Sequence, residues 1–260
     1  MNEITSLHNE SIKQVTHLHT SKGRTEYHQF IAEGIRIVST LLTTDRYPLV
    51  RLYYTDAMTG QAYALVQDST RLTRVTPQVL AKMSTQATPS GILGVFEIPI
   101  LQHLPEKELA KAGLVLANVS DPGNMGTLMR TCAALGNQSV IVVEGTDPFG
   151  PKVVQASAGT LAHLTILRCT WDQLLAQKGE QLLCALIVNG GQSPATIKEL
   201  YTHNKNNILL VVGNEARGIP QEWVDQCALT MSLPMPGGVE SLNAAVAGSI
   251  ALYLLAAHTH

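Results

Sequence analysis

Six runs in the second half of the chain, LVLANV (114–119), SVIVVE (139–144), LTILRC (164–169), LLCALIVN (182–189), NILLVVG (207–213) and LTMSLP (229–234), are largely apolar and do not alternate. A strand with one solvated face alternates with a period of two, so these runs belong to strands covered on both faces, as in a parallel sheet between layers of helices. Helical stretches over 126–135, 152–162 and 221–227 supply crossovers, and a last helix from Ser241 to about His258 closes the chain. The fold class is α/β. Aromatic residues make up only 5% of the 260 residues, so Leu, Val, Ile and Ala must fill the core, and 45% hydrophobic against 15% charged residues excludes disorder and coiled coil.

A smaller α/β unit precedes this one. Strands are expected at 28–34, 50–55, 72–76 and 91–98, helices at 35–43, 59–67 and 77–84, with a further helix over 9–20 leading into a basic, turn-like Ser21-Lys22-Gly23-Arg24. The pattern breaks after Pro99, which gives a first domain at 1–99, a linker at 100–112 and a second domain at 113–260. Cys132, Cys169, Cys184 and Cys227 lack the C-x-x-C spacing of a metal or redox pair and sit in apolar runs, as reduced thiols of a cytoplasmic protein do. No metal site is expected. The polar start MNEITSLHNE is unlike an export signal. The longest apolar stretch, Ala244 to Ala257, is interrupted by Gly248 and Ser249 and is shorter than the roughly 18 residues that span a membrane. A net charge of −2 argues against a protein that coats nucleic acid by bulk positive charge and leaves local basic patches open.

Three glycine-containing segments fall at strand ends, where open α/β sheets bind ligands. In the first, Asn118 to Arg130, Pro122 and Gly123 suit the centre of a type II turn that would aim Asn124 across the strand end, and Arg130 lies one helical turn past Gly126. A βα turn with a surface arginine would read the same way. In the second, Gly213-Asn214-Glu215-Ala216-Arg217-Gly218, an acid stands at the ligand edge of the sheet, or else forms a loop ion pair with Arg217. In the third, Leu233 to Asn243, a stiff Pro-Met-Pro-Gly-Gly loop leads to Ser241, a natural N-cap of the last helix, and to Asn243 in its first turn, a polar amide that needs a partner.

Taken in order, N-x-x-D-P-x-N-x-G-x-x-x-R, G-N-E-x-x-G-I and L-P-M-x-G-x-V-E-S-L-N resemble the three motifs of the SpoU (TrmH-type) RNA ribose methyltransferases of the SPOUT superfamily. The likeness covers residues 114–258, and the segment IKQVTHLHTSKGRTEYHQFIAEGIRIV is similar to the ribosomal-protein-like substrate-binding domain often fused ahead of it. The resemblance implies S-adenosylmethionine as cofactor, transfer to a ribose 2′-hydroxyl, a trefoil-knotted catalytic domain and a homodimer formed through the knot. It also implies an RNA partner, with ribosomal RNA, 23S above all, favoured over tRNA. A catalytically silent RNA-binding protein on the same fold is the alternative. A Rossmann enzyme is disfavoured, since no G-x-G occurs among the glycines.

By the same resemblance Arg130, Asn124, Glu215, Ser241 and Asn243 are the catalytic set. Gly213, Leu233, Leu242, Asn214, Gly218, Met235 and Gly238 are the cofactor-binding set. Arg130 either takes the hydroxyl proton or stands as a fixed cation beside the developing alkoxide. The basic residues Lys22, Arg24 and Arg36, with Lys13, His17, His19 and His28 nearby, form the expected RNA-facing surface, although Glu10, Glu26 and Glu33 lie among them.

Overall fold

The computed structural model describes residues 2–100, 105–203 and 208–256, and of the expected linker residues 101–104 lie outside that range. The chain forms two units, Met1–Ile100 with Phe149–His163, and Leu101–Pro148 with Leu164–His260. The segment 149–163, read from sequence as a crossover of the second domain, groups with the first unit. Its anchor is aromatic: Phe149 packs against Phe30 and Tyr47 with ring centroids 5.2 and 5.7 Å apart.

The first unit holds a mixed five-stranded sheet of β1 (Asn2–Ile4), β2 (Gln29–Glu33), β3 (Leu49–Tyr54), β4 (Leu72–Val75) and β5 (Ile92–Glu97) in the order β1-β4-β3-β5-β2. β5 runs antiparallel to both β2 and β3, and the remaining pairs are parallel. Ile12 and Val15 from the Glu10–His17 helix, its C-cap Leu18, and Val79, Leu80 and Met83 from the Pro77–Met83 helix bury one face of the sheet over Ile31, Tyr53, Leu93 and Val95. The expected turn at 21–24 is instead a helix, Ser21–Tyr27, whose N-cap Thr20 accepts the Gly23 N–H at 3.1 Å.

In the second unit β6 (Ala112–Ala117), β7 (Ser139–Val143), β8 (Thr165–Cys169), β9 (Leu182–Leu186), β10 (Ile208–Val212) and β11 (Leu229–Met231) form one sheet in the order β11-β9-β10-β6-β7-β8. Every pair is parallel. β7 and β10 are buried at all five positions, as continuous apolar runs require. The chain winds outward from β6 to β8, then returns to lay β10 on the other side of β6, so the order reverses between β6 and β10. Ligands of open parallel sheets bind outside the carboxyl ends at such a reversal. The first two glycine-containing segments leave the sheet there, one from β6 and one from β10. The four cysteines are free, and burial pushes the Cys132 and Cys184 thiols up to about 12 and those of Cys169 and Cys227 to about 11, so none is a thiolate at neutral pH.

Candidate active site

After β6 the chain turns through Asn118, whose φ of 59° lies in the left-handed region that asparagine tolerates better than most residues. Asp121 then caps the Pro122–Ala134 helix by accepting the Asn124 N–H at 2.7 Å, with Pro122 in the first turn. The type II turn expected at Pro122-Gly123 is therefore absent: proline's fixed φ starts a helix as readily as it starts a turn. Asn124 still faces the sheet edge, now from the helix's first turn.

Glu215, in the loop after β10, spends both carboxylate oxygens on this segment. Oε1 accepts from the Asp121 N–H at 3.0 Å and the Asn124 Nδ2 at 3.1 Å, while Oε2 accepts from the Ser120 N–H at 3.2 Å and the Ser120 hydroxyl at 2.8 Å. Burial alone would raise its pKa, and the hydrogen bonds from Asn124, the loop backbone and Ser120 outweigh it, bringing it down to about 2. Among the described residues no ion pair joins it to Arg217. A carboxylate this acidic is a poor general base at neutral pH, so Glu215 holds the loop rather than moving a proton.

The pH dependence follows from that depression. The folded-state pKa lies below the ordinary value of 4.5, so the stabilisation is complete above 4.5 and is lost as pH falls from there towards 2. The melting temperature of the wild type is expected to fall more steeply across that window than that of Glu215→Gln, measured by circular dichroism. Parallel curves would show that the four hydrogen bonds carry no net charge-dependent stability.

Asn214 completes the bracket. Its Nδ2 donates to the Asn118 carbonyl and the Ser120 hydroxyl, both at 3.0 Å. Ser120 and Asn118 thus belong to the site, and sequence reasoning passed over Ser120; a hydroxyl placed just past a buried strand at the sheet reversal was the available signal. The third segment joins through Asn243, whose Nδ2 donates to the Asn124 Oδ1 at 3.0 Å. Asn124 is thereby the node of the site, a donor to Glu215 and an acceptor from Asn243, which fixes the orientation of its amide. Asn243 is also the cap of the last helix, Ala244–Ala256, taking the N–H groups of Ala245 and Val246 on Oδ1 at 2.9 and 3.2 Å. The expectation that Ser241 caps this helix and that Asn243 sits in its first turn is corrected accordingly; residues 257–260 lie outside the described range.

A cavity of about 350 Å³ opens at the carboxyl ends of β9 and β10. Of the residues expected to hold a cofactor, Gly213, Asn214, Gly218, Leu233, Met235 and Leu242 line it and Gly238 does not; Glu215 and Ser241 line it as well. Sequence reasoning missed the wall at the carboxyl end of β9, Leu186 with Ile187 and Val188 just past it, together with Ala216 and Arg217. Gly213 is required by close approach, since a Cβ there would stand 2.5 Å from the carbonyl carbon of Gly218 and 2.6 Å from the Ile219 nitrogen.

Residues 111–253 match the SpoU rRNA methylase family, and residues 9–94 match the MRM3-like substrate binding domain. The chain belongs to the SpoU rRNA methylase family. The 23S rRNA (guanosine(2553)-2′-O)-methyltransferase of Bacillus subtilis is 31% identical, over 98% of this chain and 99% of its own. The 23S rRNA (uridine(2479)-2′-O)-methyltransferase of Streptomyces viridochromogenes is 27% identical, over 88% of this chain and 83% of its own. The crystal structure of an AdoMet-bound rRNA methyltransferase from Sinorhizobium meliloti superposes with a TM-score of 0.85 at 27% identity, covering 100% of this chain and 98% of that one. The chain is an RNA ribose 2′-O-methyltransferase that uses S-adenosylmethionine.

The cavity suits that cofactor. Its volume falls within the roughly 300–1,000 Å³ of small-molecule sites, and Leu186, Val188, Leu233 and Leu242 offer apolar walls to a flat purine beside a few polar groups. Asn124 and Asn243 lie outside the cavity lining and are tied to it through Glu215, which lines the cavity and accepts from Asn124. Arg130 is exposed on the Pro122–Ala134 helix and does not line the cavity, and none of the hydrogen bonds of the Asn124 node reaches it. Within one copy no described hydrogen bond joins Arg130 to Asn124, six residues earlier on the same helix.

The basic set of the first unit divides by helix phase. Lys22 and Arg36 are exposed. Arg24 is only 5% exposed and donates to the Leu18 carbonyl at 2.7 Å, so it braces the turn between two helices and does not face RNA. Glu33 is buried as well and accepts from Thr85 at 2.6 Å and from the Ser84 hydroxyl. Arg24→Ala is expected to cost about 2–3 kcal/mol by thermal or urea unfolding, the scale of a lost buried charge-assisted hydrogen bond. Lys22→Ala should leave stability within about 0.5 kcal/mol. Equal effects would contradict this division.

Proposed function

We propose that the substrate is 23S ribosomal RNA and that one ribose 2′-hydroxyl in it is methylated. The observation that carries this reading is the extent of the likeness: the 31% identity to the Bacillus subtilis 23S enzyme runs through both domains, over 98% of this chain. The substrate-binding half is matched along with the catalytic half, which favours ribosomal RNA over tRNA. An exposed Lys22 and Arg36 on that half are the proposed RNA contacts. Two isolated cations on a chain of net charge −2 suit recognition of a folded RNA shape more than indiscriminate phosphate binding.

Methyl transfer to an alcohol is an in-line displacement in which the oxygen loses its proton as the new bond forms, so placement and electrostatics dominate. The bound cofactor supplies an electrophilic methyl on a sulfonium. Asn124 and Asn243, held in fixed orientation by Glu215 and by the last helix, present amide groups at the cavity edge and orient the ribose. Arg130 acts as a fixed cation beside the developing alkoxide, because a guanidinium, with a pKa above about 12, gives up its proton too reluctantly to be a base at neutral pH. Ser241, exposed at the cavity rim, contacts substrate and cofactor together.

Asn124→Asp is a sharp check on the node, since aspartate cannot donate to Glu215 and adds a like charge beside it. Its kcat is expected to fall about 10²-fold, the scale of a small displacement in a positioned site, and further than that of Asn124→Ala. A variant with wild-type kcat would sink the node's role.

The homodimer is part of the same reading. Val246, Ile250 and Tyr253 are 48%, 40% and 61% exposed on the last helix, one apolar stripe at helical spacing that a second copy would cover. The trefoil knot belongs to it too, supported by the likeness to the Sinorhizobium meliloti structure across the whole catalytic domain. No described helix is long and apolar enough to cross a membrane, and no described cluster of His, Cys, Asp or Glu could hold a metal ion. A cytoplasmic location accords with a ribosomal substrate. Incubating the purified protein with methyl-labelled cofactor and separately purified 23S, 16S and transfer RNA tests the substrate. Label is expected in 23S RNA alone, and labelling confined to tRNA would overturn the assignment.

A further inference from the structure

The loop after β10 carries a charge that the Asn124–Glu215 node does not use. Its backbone is closed on itself: the Asn214 N–H donates to the Gly218 carbonyl at 3.0 Å and the Gly218 N–H returns to the Asn214 carbonyl at 2.9 Å. Asn214 Oδ1 takes the N–H groups of Ala216 and Arg217 at 3.0 and 3.1 Å. The main-chain donors at 214, 216, 217 and 218 are thus engaged and cannot cradle an anion. Glu215 turns both oxygens to Ser120, Asp121 and Asn124. Arg217 is exposed, lines the 350 Å³ cavity and is the one cation among the described residues that do so. What position 217 has left to offer a ligand is its guanidinium, a permanent positive charge with five donors in a planar fork.

That charge selects its partner. S-adenosylmethionine carries two positive groups, sulfonium and ammonium, against one carboxylate. A guanidinium beside this net cationic ligand has one favourable partner on it, that carboxylate, while the one carboxylate among the described lining residues, Glu215, is already engaged by Ser120, Asp121 and Asn124. We propose that Arg217 is a cofactor-binding residue that pairs with the α-carboxylate of S-adenosylmethionine and so sets which end of the cavity the amino-acid tail occupies. The proposal rests on the cavity being the cofactor site. The other anion within reach of an exposed arginine is an RNA phosphate, and the two sources separate cleanly without RNA present.

The test is calorimetric titration of the full-length protein, free of RNA, with S-adenosylhomocysteine and with 5′-methylthioadenosine, which keeps the adenosyl thioether and lacks the amino-acid tail. Arg217→Ala is expected to weaken S-adenosylhomocysteine about tenfold, the scale of one charge-assisted hydrogen bond, and to change methylthioadenosine less than about twofold. Arg217→Lys, which keeps the charge and loses the fork, should recover part of the difference. Equal weakening of both ligands overturns the proposal, since it would mean general damage to the cavity. Unchanged binding of both, with a raised KM for RNA and a shallower salt dependence, overturns it in favour of phosphate. A wild type that binds neither ligand sinks the cavity assignment and the proposal with it.

Discussion

Arg130→Ala is expected to lower kcat by about 10²–10³-fold while leaving the Kd for S-adenosylmethionine within about twofold of wild type, the range found when one group stabilising transition-state charge is removed. The separation of the two effects follows from its position: Arg130 is exposed on the Pro122–Ala134 helix and does not line the cavity, so cofactor binding does not feel it. Arg130→Lys should retain part of the rate, because the charge stays while the planar fork is lost. The wild-type kcat should also stay flat through the basic pH range. A rise that levels off with a titration near neutrality would instead mark a group being deprotonated to act as base. A kcat for Arg130→Ala within tenfold of wild type would remove this residue from the chemistry altogether.

Gly213→Ala is expected to abolish measurable cofactor binding, a loss of at least about 10²-fold in Kd, and to lower the melting temperature by several degrees. The added Cβ would stand 2.5 Å from the Gly218 carbonyl carbon and 2.6 Å from the Ile219 nitrogen. Those are backbone atoms that cannot rotate away as a side chain could, so the 214–218 loop must move. That loop carries Asn214 and Glu215, and through them the segment Ser120–Asn124, so one methyl group displaces both the cavity wall and the node of the site. Calorimetry and a thermal melt together decide the matter: a variant that binds cofactor normally with an unchanged melt would mean that the loop yields freely.

The parallel sheet was legible because burial on both faces leaves a direct mark in the chain: β7 to β11 form within the runs that announce them, and β6 overlaps its run but starts two residues earlier. β1 was not, since three residues of mixed polarity carry no pattern. The helix at 21–27 was hidden by Gly23, which reads as a turn residue, although its real reason is contact: a Cβ there would collide with the His17 carbonyl. Lys22 and Arg24 look alike in sequence, and only the phase of that helix decides that one is exposed and the other braces Leu18. At the site, order and residue type identified the three segments, and the Asp-Pro pair could have been read as an N-cap followed by a first helical residue. What no local pattern holds is the wiring: Asn243 meets Asn124 across 119 positions and Glu215 meets Asn124 across 91, contacts fixed by the strand order and by the packing of the last helix on the Pro122–Ala134 helix.

Ribose-methylation mapping of ribosomal and transfer RNA, from cells with the gene, without it, and complemented with wild type or Arg130→Ala, reads the central claim in one measurement. One 2′-O-methyl group in 23S RNA is expected to vanish on deletion and to return with the wild type but not with the variant. An unchanged 23S map, or a site lost from tRNA in its place, would contradict the account.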